Sequence, residues 1–250
     1  SRLFIDPFLL KKSSNLNERK LFVRFGDFFR FAYDKAIKVK SESGEDFKDL
    51  ARFLKFPEPR ELNIGYTRGS NKGSGPGPSF TKRLLSFFLY SSAKLLVKEV
   101  EVYSDKMFDP KILDIFADKF GPDGLSDITA NLIMDYLIEY TIKQCEIFKI
   151  PTKELPVNEV GFDFEKMEWG GGEYRNLPEN PLRPGEAVIF IPKRLLRSTE
   201  QYHDPIINRV LAILRADSSL GVKFADLLSK SVEDVELKEI RQVLLDERSV

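Results

Sequence analysis

The sequence is poor in the residues that cross-link chains and bind soft metals. It has one cysteine, Cys145, and one histidine, His203. A lone cysteine excludes an intramolecular disulfide, and a cysteine- or histidine-rich zinc site would have to find its ligands elsewhere. These absences suit a reducing cytoplasm. Charge of one sign is also lacking: 39 Lys and Arg balance 39 Asp and Glu. No global field therefore draws the chain to nucleic acid, although a local basic patch is compatible with neutrality. No apolar run reaches the roughly 20 residues of a membrane span. The longest, Leu84–Val97, is interrupted by Ser86, Ser91, Ser92 and Lys94. Nothing resembles a signal peptide, because Arg2–Leu10 is broken by Asp6 and Pro7. The start at Ser1 and the end at Val250, after a charged helical pattern, read as an excerpt of a longer polypeptide or one trimmed of disordered ends.

What is abundant is phenylalanine, 21 of it, within a 42% apolar composition that supplies a substantial core. Leu3–Leu10 reads as an extended piece lying on that core, since Pro7 opposes a continuous helix. Glu18–Lys40 places Phe22, Phe25, Phe28, Phe29 and Tyr33 near helical spacing. Glu45–Leu54 predicts a shorter helix, and Phe80–Val102 a long amphipathic one capped by Ser79. Pro110–Phe120 predicts another. Gly121–Gly124 then reads as a turn before a strongly patterned helix capped by Ser126 or Asp127, with Ile128, Leu132, Ile133, Tyr136, Leu137 and Tyr140 on its apolar face. That helix ends at Ile150-Pro151. Val157–Phe164 suggests a short strand, and Glu186–Ile191 (EAVIFI) is the clearest strand, being short, β-branched and bounded by Gly185 and Pro192. A helical turn follows Pro192, and Asp204–Ala216 and Val232–Arg248 predict further helices. The expected fold is mainly α with a small β element, an α+β multi-helix domain over residues 1–199. A looser helical extension follows over 200–250 and leads toward a further domain.

Four groups of residues carry candidate chemistry. Gly65–Ser79 holds five glycines that let backbone N–H groups approach an anion, with Arg68, Lys72, Lys82 and Arg83 to supply charge. It lacks the Gly-Lys-Ser/Thr ending of a Walker A loop and any dinucleotide fingerprint. A plain surface loop, a nucleic-acid phosphate contact and a nucleotide site all remain open. Asp118, Asp123 and Asp127 could hold a hard cation such as Mg²⁺, but turn and cap formation explain them without a metal. Glu58 and Glu61 lie near the glycine loop, and Lys193 follows the apparent strand. Carboxylates holding Mg²⁺ beside a lysine that orients water would make a nuclease centre. The weak candidates are Glu58, Asp123, Asp127 and Lys193, yet the acid-x-Lys pair on one strand is missing. Finally, His203 beside Asp204 could act as a base, but a helix-start residue next to a cap is the ordinary use of that pair. Cys145 reads as a small core residue. Trp169 with Tyr174 offers either a stacking surface for a base or packing against the sheet.

Several fragments together, namely Ile5–Leu10, the Gly65–Gly77 loop, Gly121–Thr141, Leu177-Pro178 and Val188–Lys193, resemble the N-terminal region of poorly characterised prokaryotic proteins of mobile or anti-phage defence loci. Longer members continue into a region similar to PD-(D/E)XK nucleases. The resemblance spans roughly residues 3–200, with Asp123–Thr141 its most specific piece. It implies a cytoplasmic recognition or regulatory domain that contacts DNA, RNA or a partner protein and controls a nuclease located elsewhere. No catalytic residue is carried over, no cofactor or metal is expected, and the phosphate-contacting candidates are Arg68, Lys72, Lys82 and Arg83. The alternatives are a nuclease in its own right, using Mg²⁺, and a structural assembly module, for which a homo-oligomer is compatible.

Overall fold

The computed structural model describes residues 3–57, 59–62, 78–90, 121–157 and 161–198. Within them the chain is mainly helical with short antiparallel strands, the α+β class that the periodicity predicts. Strand β1 (Leu3–Ile5) leads into helix α1 (Pro7–Lys12). The extended piece expected over Leu3–Leu10 is thus half helix. Proline stands at the helix start, where its missing N–H costs no bond. Asp6 caps that helix, its Oδ1 accepting from the Phe8 N–H at 2.9 Å.

Helix α2 (Leu16–Ala36) is capped by Asn15, which accepts from the Asn17 N–H. It buries Leu21, Phe22, Phe25, Phe28, Phe29 and Ala32, so the aromatic spacing does mark its inner face. Helix α3 (Glu45–Phe53) and a single 3-10 turn at Arg60–Leu62 follow. Helix α4 (Pro78–Tyr90) begins one residue before Ser79, which therefore lies inside its first turn. The continuation of that helix to Val102 and the helices expected at 110–120, 204–216 and 232–248 lie outside the described residues.

The patterned stretch after Phe120 forms two helices rather than one, α5 (Gly121–Leu132) and α6 (Met134–Phe148). Gly121–Gly124 is not a separate turn; it is the first turn of α5. Ser126 is consequently no cap. Its hydroxyl accepts the Ile5 N–H at 3.0 Å and ties α5 to β1. The break falls at Ile133, which leaves the helical region at φ −122° and ψ 18°. Thr129 turns its hydroxyl back to the Leu125 carbonyl, and Asn131 its amide to the Asp127 carbonyl. Such back-bonding competes with the helical ladder and bends it. Gly161 packs against the same point. At φ +94°, its Cβ position would lie 2.8 Å from both the Asn131 carbonyl oxygen and Met134 Cβ. Helix α6 ends on Lys149 in the left-handed region, as the Ile150 N–H returns to the Cys145 carbonyl.

The remaining strands are β2 (Lys153–Val157), β3 (Phe162–Asp163), β4 (Glu168–Trp169), β5 (Glu173–Leu177) and β6 (Leu196–Ser198). They form three two-stranded sheets, β2 with β5, β3 with β4, and β1 with β6. In the last, Leu3 lies opposite Ser198 and Ile5 opposite Leu196. Glu186–Ile191 is not the strand its composition predicts. Apart from an isolated bridge between Glu179 and Ala187, its N–H groups are shared among unrelated partners. Val188 donates to the Pro178 carbonyl, Ile189 to the Glu61 carbonyl, and Phe190 to the Thr141 hydroxyl. The segment is an extended strap across the core.

The core centres on Phe28, whose ring lies 4.6 Å from Phe53, 5.0 Å from Phe162 and 5.1 Å from Phe56, centre to centre. Trp169 closes the group from above and donates its indole N–H to the Phe53 carbonyl at 2.9 Å. Both the face and the polar edge of Trp169 are thereby engaged in packing. Among the described residues, no helix is long and apolar enough to cross a membrane.

Candidate functional site

Polar chemistry gathers where the N-terminal elements meet the segment before Ser198. Glu18, in the first turn of α2, has no exposed surface. A buried carboxylate must be paired or neutralised. Four donors surround this one. Arg194 reaches it through Nε at 3.0 Å and through one terminal nitrogen, and the hydroxyls of Ser13 and Tyr136 complete the set. Burial pushes the Glu18 carboxyl up, but the hydrogen bonds from Arg194, Ser13 and Tyr136 outweigh it and hold the group below its ordinary range. Burial and the bond to Glu18 push the Tyr136 hydroxyl up, so it stays a donor. The same bond raises Arg194.

Asp6 forms a second pair of this kind. It too has no exposed surface, and its Oδ2 lies 3.0 Å from Arg197 Nε. The Asp6 N–H also donates to the Leu195 carbonyl. Two buried acids from the beginning of the chain are thus held by two arginines, one just before β6 and one within it. The short 3-10 turn Lys193–Leu195 places the first of these arginines against α1.

Around this seam the surface is cationic. Lys11 and Lys12 end α1, Lys11 lying over the Phe22 ring at 5.6 Å. Arg19 Nη1 caps the Ser13 carbonyl at 2.9 Å. Lys193 is exposed beside Arg194, whose guanidinium sits 6.0 Å from the centre of the Tyr140 ring. Tyr140 in turn stacks on Tyr136. Among the described residues, Lys11, Lys12 and Lys193 have no acidic partner. The nearby Asp135 is taken by Arg24 in a two-pronged contact at 2.8 Å.

The residues singled out from sequence are spread more widely. Arg68, Lys72, Glu58, Asp118 and His203 lie outside the described residues. Lys82 is exposed on α4 and Arg83 half-buried beside it. Asp123 is exposed in the first turn of α5, and Asp127 lies one turn further on, half-buried. Lys193 belongs to a different element, the 3-10 turn. Among the described residues, no three His, Cys, Asp or Glu side chains come together in a way that could hold a metal. Cys145 is buried, and burial pushes its thiol up, away from the reactive thiolate. The Glu18–Arg194 and Asp6–Arg197 pairs escaped sequence analysis. The one available signal was an acid inside an apolar helical pattern, at Glu18.

No curated protein and no solved structure matches the chain. A family match does cover most of its length. Residues 1–203, which include every element described above, match the family described as Domain of unknown function (DUF8370), and the chain belongs to that family.

Proposed function

We propose that this chain is a recognition or regulatory domain of a bacterial anti-phage defence effector. In this proposal it contacts nucleic acid, and the nuclease it controls sits on another polypeptide segment. The resemblance of the Asp123–Thr141 block and its companion fragments supplies the defence setting. The observation that carries the nucleic-acid contact is the imbalance at the seam. Its two acids are buried and neutralised, while Lys11, Lys12 and Lys193 face solvent with no acidic partner among the described residues. A neutral protein with such a local excess offers phosphate a favourable contact that its average charge conceals.

The test is equilibrium binding of the whole chain to fluorescent single-stranded and duplex DNA and to RNA across a salt series. Phosphate contact requires log affinity to fall linearly with log salt, by about 0.7–0.9 per phosphate neutralised. Salt-independent binding, or none, overturns the proposal. The glycine-loop version is tested by neutralising Arg68, Lys72, Lys82 and Arg83 together. Unchanged affinity and slope would remove that loop from the contact surface.

A further inference from the structure

Arg194 differs from Lys11, Lys12 and Lys193 beside it in being fixed by hydrogen bonds. Its Nε and one terminal nitrogen are both committed to Glu18, and that terminal nitrogen also lies 3.2 Å from the Tyr136 hydroxyl. The guanidinium carbon lies over the Tyr140 ring, 6.0 Å from its centre. The second terminal nitrogen, Nη1, makes no hydrogen bond among the described residues, and the side chain keeps 52% of its surface exposed. A free arginine loses rotamer freedom when it is immobilised on a ligand. Here Glu18, Tyr136 and Tyr140 have already immobilised it. A guanidinium held from behind by a buried carboxylate, with its outer donors in water, is the arrangement that lowers the entropic cost of gripping an anion. Lys193 is its neighbour in sequence. Lys11 and Lys12 approach from α1, which packs on the same 3-10 turn. On the facing stretch of α6, Asp135 is neutralised by Arg24, leaving Glu139 as the exposed carboxylate.

We infer that Arg194, positioned by Glu18 and Tyr136, is the phosphodiester-gripping residue of this domain, with Lys11, Lys12 and Lys193 completing the contact. This rests on the nucleic-acid reading above and gives it a location apart from the glycine loop. Nη1 keeps its two N–H donors on a planar group that Glu18 and Tyr136 hold in one orientation, which the ammonium of a flexible lysine does not offer. The lysines add charge without geometry. The two contributions therefore separate in experiment.

The test uses the whole chain and a labelled 20-nucleotide single strand, with its duplex and free inorganic phosphate as comparison arms. Affinity is read by fluorescence anisotropy across a salt series. Lys11→Gln and Lys193→Gln should each reduce the steepness of the salt dependence by about 0.7–0.9 and weaken binding several-fold at low salt. Arg194→Lys keeps the charge and loses the fixed planar donor, so affinity should fall roughly 5- to 10-fold with the slope retained. Glu18→Gln should do the same more weakly, by releasing Arg194 from its fixed position. Thermal unfolding of each variant guards against trivial loss of fold, and the two exposed lysines keep the test decisive if Arg194→Lys fails to fold. Competition by free phosphate at constant ionic strength, abolished in Arg194→Lys, would support the grip itself. If the wild-type chain binds with a normal salt slope and all these variants match it, the location is wrong while the nucleic-acid reading stands. If the wild-type chain fails to bind at about 50 mM salt, both are overturned.

Discussion

The interior around Phe28 and the seam around Glu18 bury opposite faces of chemistry against the same helix. Phe28 is surrounded by Phe53, Phe56, Phe162 and Trp169, and its own contacts with them are ring packing without directed polar bonds. Area and packing hold it, so volume-conserving changes are tolerable. Glu18 is held by Arg194, Ser13 and Tyr136, each supplying a directed donor to a charge that cannot reach water. There the identity of each partner matters, and a single removal strands the rest. The first region supplies stability; the second determines which distant segments meet.

The largest expected effect lies in the apolar region. Phe28→Ala should cost about 3–5 kcal/mol by transfer and cavity terms, while Phe28→Leu should cost well under half of that. Denaturant midpoints of the two variants measure both. At the seam, Arg194→Ala should cost about 3 kcal/mol, because the Glu18 carboxylate is left buried beside two neutral hydroxyls. The comparison sharpens with Glu18→Leu combined with Arg194→Leu. Removing both charges should recover most of the single-variant loss, whereas no second deletion near Phe28 rescues Phe28→Ala. A double variant as unstable as Arg194→Ala would show that the seam is held by packing after all.

Smaller effects probe where the two regions touch. Gly161→Ala should cost about 2 kcal/mol, since the added methyl meets the backbone at the α5–α6 break and the positive φ strains it. Thr141→Val should cost about 1–2 kcal/mol, because the Phe190 N–H loses its acceptor and the strap over the core loosens. Hydrogen exchange at Phe190 reports this directly. The pH dependence belongs to the Glu18 carboxyl, whose contribution is greatest at neutral pH and fades in acid. Its value in the fold lies below its unfolded value, so its stabilisation is complete above the ordinary glutamate range, about pH 4, and is lost as pH falls through the folded value. Glu18→Gln should therefore lose stability at neutral pH and show a shallower decline below pH 4.

Much of the apolar architecture was legible in the sequence. Phe22, Phe25, Phe28 and Phe29 mark the inner face of α2 because a helical repeat of large rings has few other uses, and the break near Ile150 follows from proline. The errors have physical causes. By composition Pro7 and Gly121–Gly124 are breaking residues, yet a helix start is where proline and glycine cost least. Glu186–Ile191 has a strand's composition, but composition records burial and not where the N–H groups find acceptors. The polar seam was almost invisible. Glu18 meets Arg194, and Asp6 meets Arg197, only through tertiary folding, and no local period encodes a partner so far along the chain. Of the candidate phosphate contacts named from sequence, Lys82 and Arg83 lie on α4, while of the cations beside the seam only Lys193 stands out in sequence, and for a different chemistry.

The pairing of Leu3–Ile5 with Leu196–Ser198 has a consequence for how the chain is made. At a synthesis rate of about 5–20 residues per second, the opening Leu-Phe-Ile segment emerges from the ribosome tens of seconds before its partner strand exists. Asp6 and Glu18 wait equally long for their arginines. For that interval the nascent chain presents a greasy strand and two carboxylates without their counterions, a form suited to capture by a chaperone. This pairing therefore forms late, once β6, the last strand among the described residues, has cleared the exit tunnel.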